Sequence, residues 1–122
     1  MIFINTAGQN PGSNYIGIFK ISTNLYRGSV VASGSTINIT ESVATSGFIK
    51  AALAYKTGDT ALFINGVQVG TTNTTAFTFS GALSSIRFIA NSAIGTKPAS
   101  VRSVALYTTR LSDSELAALT TL

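Results

Sequence analysis

Residues 51–70 read AALAYKTGDTALFINGVQVG, a sequence that predicts two β-hairpins in succession. In the second hairpin, Asn65-Gly66 is a preferred pair for a two-residue type I′ turn, because both positions take a positive φ. In the first hairpin, Gly58 supplies the positive φ of a tight turn over residues 56–59. The second turn also fixes the strand register. Counting outward, Ile64 pairs with Val67, Phe63 with Gln68, and Leu62 with Val69.

This register divides the second hairpin into two faces. One face is apolar, and we assign it to the core; it consists of Leu62, Ile64, Val67 and Val69. Phe63 lies on the opposite face beside Gln68. A large aromatic ring in that position needs a cover, which a loop, the C-terminal helix or a neighbouring chain can supply.

Short segments with apolar residues at every second position predict further strands around these hairpins. The expected strands outside the second hairpin are 15–21, 25–31, 35–40, 48–55, 77–79, 85–91 and 100–108. No internal repeat is visible. The chain is therefore expected to form one all-β domain over residues 1–122, an antiparallel β-sandwich of about nine or ten short strands.

The C-terminal residues predict the one helix of the chain. Ser112 is the expected N-cap, and Glu115 is its reciprocal partner in a capping box. Leu111 and Leu116 stand at the two positions of a hydrophobic staple. A helix this short is not stable alone, so we expect Leu116 and Leu119 to dock onto a sheet.

The composition restricts the functions open to this chain. Only 10% of the 122 residues are charged, against about 25% in a typical globular protein. The surface must therefore be built from small polar residues or be covered by other subunits. The net charge of +4 comes from basic residues that never cluster, so the chain lacks the basic patch of a nucleic-acid-binding protein. No apolar run approaches the length of a membrane span.

The residue types needed for catalysis are scarce. The chain has neither His nor Cys, which removes the commonest general base and every thiolate site. Its four acidic residues are Glu41, Asp59, Asp113 and Glu115. The last two open the helix and are expected to serve its cap and its dipole. Asp59 fits turn chemistry, although with loop carbonyls it could also contribute to a calcium site. We expect no enzymatic activity, no cofactor and no bound metal.

Several segments together resemble a known family. They are residues 51–55, the run ALFINGV at 61–67, VALY at 104–107 and RLSDSEL at 110–116. In this order they resemble the laminin-G-like, concanavalin-A-like jelly roll, in the variant found in phage tail and other virion proteins. The resemblance covers residues 48–119 well and residues 1–47 loosely. It implies a jelly-roll sandwich located in the virion.

The chain departs from this family in two respects. Residues 2–5 align with an early inner strand of the family, so we expect the first edge strand or strands of the family to be missing from this chain. Either the domain is minimal, or a neighbouring subunit completes the sheet. In addition, the closely spaced catalytic carboxylates that the enzymatic relatives carry on one strand have no counterpart here.

Two functions are compatible with this sequence. The first is adhesion to surface carbohydrate or a receptor by a virion-associated module. The second is a structural role, such as a capsid decoration or cement protein, in a homo-oligomer for which a trimer is favoured. Tyr15, Tyr26, Tyr55 and Tyr107 are further candidate sugar platforms, each more simply explained as a sheet or core residue. The expected ligand or partner contacts are Phe63, Gln68, Asn73 and Asn91.

Overall fold

A computed structural model describes residues 2–5, 14–45, 47–88 and 100–122 of the chain. These residues form eight β-strands and one α-helix. The strands are β1 (Ile2–Asn5), β2 (Asn14–Lys20), β3 (Leu25–Ala32), β4 (Ser35–Ser42), β5 (Ala51–Lys56), β6 (Asp59–Ile64), β7 (Val67–Asn73) and β8 (Ser85–Phe88), and the helix is α1 (Asp113–Thr120). The described residues are all-β apart from this short helix, as the sequence predicts.

The strands form two antiparallel sheets. The larger sheet has five strands in the order β4-β3-β2-β1-β8, and the smaller has three in the order β5-β6-β7. All neighbouring strands run antiparallel. The N-terminal strand β1 lies between β2 and β8, which is the inner position expected for residues 2–5.

The two sheets pack face to face around a shared apolar core. Tyr26 and Ile39 of the larger sheet contact Leu62 of the smaller sheet in one buried cluster. The sheets approach closely at Gly28, where a Cβ atom would lie 2.7 Å from Cδ1 of Leu53. A glycine is therefore required at this point of β3 unless Leu53 moves.

Residues 74–84 extend this core without forming a strand. Phe77, Phe79 and Leu83 pack against a buried cluster of the larger sheet. The strand expected at 77–79 is therefore wrong: the two phenylalanine rings meet edge to face at 5.4 Å, and the Phe77 N–H donates to the Thr57 hydroxyl instead of to a neighbouring strand. Buried Asn14 holds this segment, because its amide bonds both the hydroxyl and the N–H of Ser80.

The helix covers the second face of the smaller sheet and corrects the expectation for Phe63. This residue lies on the face turned away from the sandwich core, as the register predicts, but it is only 3% exposed. It packs with Ala54, Ala61 and Leu116 in a second buried cluster. Of the three covers that the sequence allowed, the helix of the same chain is the one present, and the central strand β6 is buried on both faces.

The Asn65-Gly66 hairpin has the predicted turn and register. Both turn residues take positive φ, 50° and 85°, and Ile64 pairs with Val67 as counted from the sequence. The assignment of Val67 to the core is wrong, however, because its side chain is 63% exposed. It stands at the end of β7, an edge strand of the smaller sheet, where the larger sheet does not cover it.

The helix begins at the predicted residue, but it packs on the sheet through a different side chain than the sequence predicts. Ser112 and Glu115 form both bonds of the capping box. Leu116 is buried as expected, but Leu119 is 43% exposed, so its predicted docking is wrong. Thr120 is buried instead: its hydroxyl donates to the Leu116 carbonyl and accepts the N–H of Gly66 at 3.1 Å. A polar contact to the hairpin turn therefore sets the rotation of the helix.

The strand expected at residues 100–108 is absent. Residues 101–109 are exposed and irregular, and no backbone–backbone hydrogen bond joins them to another described residue. The alternating apolar pattern favours a strand, but a strand also needs a partner strand, and none of the described strands pairs with these residues. The predicted strand at 85–91 is confirmed over Ser85–Phe88, and its remainder lies outside the described residues.

Substitution of Gly66 by alanine tests the docking of the helix on the turn. A Cβ atom at Gly66 would lie 2.9 Å from the Thr121 hydroxyl, whereas at Gly34 it would meet no atom within 4 Å. Both glycines have positive φ, so each alanine costs about 1–2 kcal/mol of backbone strain. We expect Gly66→Ala to lower the free energy of unfolding in urea by about 1 kcal/mol more than Gly34→Ala, because of overpacking. Equal losses would contradict this docking.

Candidate functional site

The four residues expected to contact a ligand or partner do not form one site. Phe63 is buried under the helix and presents no exposed ring, so this prediction is wrong. The Gln68 amide donates to the Thr72 hydroxyl at 2.9 Å, and the Asn73 carbonyl oxygen accepts the N–H of Thr75 at 2.9 Å. Both amides therefore bond within the chain, that of Gln68 along β7 and that of Asn73 at the end of the strand. Asn91 lies outside the described residues.

An ion-pair network accounts for two of the four carboxylates. The Arg110 guanidinium contacts Asp59 Oδ1 at 2.9 Å and Asp113 Oδ1 at 2.7 Å. The pKa of Arg110 is raised, because its partial burial, which acts to lower the pKa, is outweighed by hydrogen bonds and charge attraction from Asp113 and Asp59. This network ties the β5–β6 turn to the start of the helix, as a structural role of both acids requires.

Glu115 is the third carboxylate with a structural contact. It accepts the Ser112 hydroxyl at 2.6 Å and the Ser112 N–H at 2.7 Å. These two hydrogen bonds hold the pKa of Glu115 below its ordinary value. The remaining acid, Glu41, is exposed on β4. The described residues contain no group of three His, Cys, Asp or Glu that could hold a metal ion.

An exposed apolar surface lies beside the end of β8. A shallow open groove of about 410 Å³ is lined by Phe88, Val101, Arg102, Ser103 and Val104. We call this the apolar groove. Three more large side chains near the groove are 43–56% exposed. Leu106 and Tyr107 follow Val104 along the chain, and Phe48 lies against Arg102.

Two contacts hold the segment that forms this groove. The Arg102 guanidinium stacks on the Phe48 ring at 3.7 Å from the ring centroid, which is a cation–π geometry. The Tyr55 hydroxyl donates to the Tyr107 carbonyl at 3.4 Å. In the sequence, this surface is indicated by the alternating apolar pattern of residues 100–108. The pattern predicts a strand, and if no other strand pairs with it, its apolar side chains are left exposed.

A second surface is the outer face of the larger sheet, which points away from the sandwich core. The side chains of this face on the three strands β2, β3 and β4 are Tyr15, Phe19, Leu25, Arg27, Ser29, Val31, Thr36, Asn38, Thr40 and Ser42. The Tyr15 and Phe19 rings meet edge to face at 6.1 Å across Gly17. This face presents aromatic rings, hydroxyls, an amide and a guanidinium, and Tyr15 is the one predicted sugar platform on it.

Comparisons with known proteins establish no family for this chain. No family model matches it, and no curated protein matches it. It is similar to the crystal structure of an S-layer domain-containing protein, residues 221–444, from Clostridium thermocellum ATCC 27405, with 19% sequence identity and a TM-score of 0.43. The match covers 96% of this chain and 60% of that one. Among the described residues, no helix is long and apolar enough to cross a membrane.

Removal of the Arg110 charge tests the structural role of the ion-pair network. We expect Arg110→Met to lower the free energy of unfolding by about 1–2 kcal/mol, because two carboxylates lose a charged hydrogen-bond partner. Lys56→Met removes the same charge from an exposed side chain, and its change should stay within about 0.5 kcal/mol. Similar losses in the two variants in urea denaturation would contradict the structural role.

The pKa of Glu115 predicts a pH dependence of the helix cap. Its folded-state pKa is lowered, so its contribution to stability is present above the unfolded pKa of about 4.3 and is lost as the pH falls further. When the pH is lowered from above this value to well below it, the free energy of unfolding in urea should fall less in the Glu115→Gln variant than in the parent chain. An unaltered slope in Glu115→Gln would rule out the cap as its source.

Proposed function

We propose that this chain is a non-catalytic structural module that assembles with other protein subunits through the apolar groove. The observation that carries the proposal is the cluster of exposed apolar side chains around Val101 and Val104. Large contiguous apolar patches on a protein surface mark interaction sites. The non-catalytic part is supported by the acids, because Asp59, Asp113 and Glu115 serve turn and helix contacts.

The proposed occupant of the groove is a second copy of this chain. The groove carries the Arg102 charge, and none of the four carboxylates of the chain lines it. The helix offers the complementary surface, because Leu119 is 43% exposed and Asp113, although paired with Arg110, keeps 56% of its side chain exposed. Leu122, just beyond the helix, is 68% exposed. Apolar and acidic groups of one copy can therefore meet apolar and basic groups of the next.

Such a contact joins two different surfaces and is heterologous. Heterologous contacts close into rings or continue as filaments, and a three-membered ring is the closed form we favour. A ring of this kind also covers exposed apolar groups of a chain with only 10% charged residues.

The finer assignments that we propose with it are a concanavalin-A-like jelly roll and a location in the virion, and both are supported by the sequence resemblance of residues 48–119.

Light scattering coupled to gel filtration tests the proposed assembly at chain concentrations of about 1–100 μM. The parent chain is expected to elute as an oligomer. Val104→Asp in the groove and Leu119→Asp on the helix should each give monomers, because each buries a charge in the interface. The matched control is Val67→Asp, which changes an exposed valine at the edge of the smaller sheet and should leave the oligomer intact.

The outcomes separate the parts of this proposal. A parent chain that remains monomeric over this range would overturn self-assembly. Dissociation by Val104→Asp alone, with no effect of Leu119→Asp, would keep the groove and reject the helix as its occupant. Circular dichroism of each variant shows whether a loss of assembly reflects a loss of fold.

A second candidate function is adhesion to carbohydrate. The observation that favours it is the outer face of the larger sheet, where the Tyr15–Phe19 ring pair lies beside the polar side chains of β3 and β4. Sugar sites combine aromatic surface with a few placed polar groups. Binding of the parent chain to any oligosaccharide of a glycan array would support this function, and a blank array would reject it.

A further inference from the structure

The outer face of the larger sheet holds an excess of hydrogen-bond donors at one place. Arg27 of β3 and Asn38 of β4 are diagonal neighbours, because Arg27 pairs with Thr40 and Ser29 pairs with Asn38. Side chains in that relation lie about 7–8 Å apart and point to the same side. Asn38 is exposed and Arg27 is half-buried, so ligand can reach both.

Both side chains are oriented by neighbours within the sheet. Arg27 Nε donates to the Thr40 hydroxyl at 2.9 Å, and the two terminal nitrogens of its guanidinium bond no other described residue. The Asn38 carbonyl oxygen accepts the hydroxyl of buried Ser29 at 2.5 Å. The Asn38 amide nitrogen, which only donates, is therefore directed away from Ser29. The orientation of these groups lowers the entropy lost when a ligand binds.

No carboxylate on this face competes for these donors. Glu41 is the one acid on the strands of the larger sheet, and it alternates to the opposite side of β4 from Asn38 and Thr40. Asp59, Asp113 and Glu115 belong to the β5–β6 turn and the helix. Arg27 therefore carries a positive charge with no carboxylate beside it on this face, and together with the neutral Asn38 amide it matches an anionic group that accepts hydrogen bonds.

An aromatic ring stands directly beside the charged donor. Phe19 pairs with Arg27 across β2 and β3, and its ring meets that of Tyr15 edge to face. A sugar ring can stack on this aromatic surface while an acidic substituent reaches the donors. A free inorganic anion would use the donors alone and gain nothing from the rings.

We infer that the outer face binds an acidic glycan, with its carboxylate or sulfate held between Arg27 and Asn38 and a sugar ring against Phe19. This inference rests on carbohydrate adhesion as the function of this face and names the ligand class. Carboxylated and sulfated sugars share the chemistry that the two donors recognise.

A glycan array of matched oligosaccharides tests this inference on the full chain. Each neutral oligosaccharide is printed beside its carboxylated and its sulfated counterpart, and the best ligand is then titrated by calorimetry. The acidic members are expected to bind at least ~10-fold more tightly than the neutral ones. The ratio between the carboxylated and sulfated signals decides which acid is the natural one.

Two variants assign the binding to the proposed residues. Asn38→Asp keeps the acceptor for Ser29 and replaces the donor with a negative charge, and Arg27→Gln removes the cation. Each should weaken acidic-glycan binding at least ~10-fold and leave the thermal unfolding curve nearly unchanged. Lys56→Gln removes an exposed charge from the smaller sheet and should not alter binding.

The outcomes distinguish this inference from the function on which it rests. Equal binding of neutral and acidic glycans, or undiminished binding by both variants, would overturn the acidic-glycan inference and retain carbohydrate adhesion. A blank array would overturn both.

Discussion

The burial of strand β6 on both faces is the constraint on which the rest of this structure depends. Leu62 packs against the larger sheet, while Phe63, the next residue, packs under the helix. A strand buried on both sides makes the protein three layers deep, with the smaller sheet between the larger sheet and α1. The capping box, the Arg110 ion pairs and the contact of Thr120 with Gly66 all act to keep the third layer in place.

The structural contacts of the carboxylates also bear on the function that we propose. Three of the four carboxylates make turn and helix contacts, and on this basis we propose a non-catalytic role. The proposed functions use two surfaces. The apolar groove offers exposed hydrophobic area beside one arginine, and the outer face of the larger sheet offers oriented donors beside aromatic rings. These surfaces are built from different segments, the groove from the end of β8 with residues 101–104 and the donors from β3 and β4, so the two proposed roles can coexist in one subunit.

The predictions were wrong where a local sequence pattern was used to predict burial or strand pairing, which depend on residues far apart in the chain. Phe63 and Val67 illustrate this. The register identified the face of each residue correctly, yet Phe63 is buried and Val67 is exposed, because burial depends on what covers that face. Likewise, the alternation at 100–108 favours a strand, but no described strand pairs with it. Arg27 and Asn38 were not identified as a pair from the sequence, since their proximity arises only from the pairing of β3 with β4.

The sequence by itself determined the all-β class, the Asn65-Gly66 turn with its register, and the start of the helix at Ser112. Each of these depends on contacts within a few residues, where backbone φ preferences and side-chain caps act directly. The tertiary structure alone decided which layer covers Phe63, that Thr120 rather than Leu119 docks the helix, and which polar groups share a face. These outcomes depend on contacts between residues far apart in the chain, and local propensity carries no information about them.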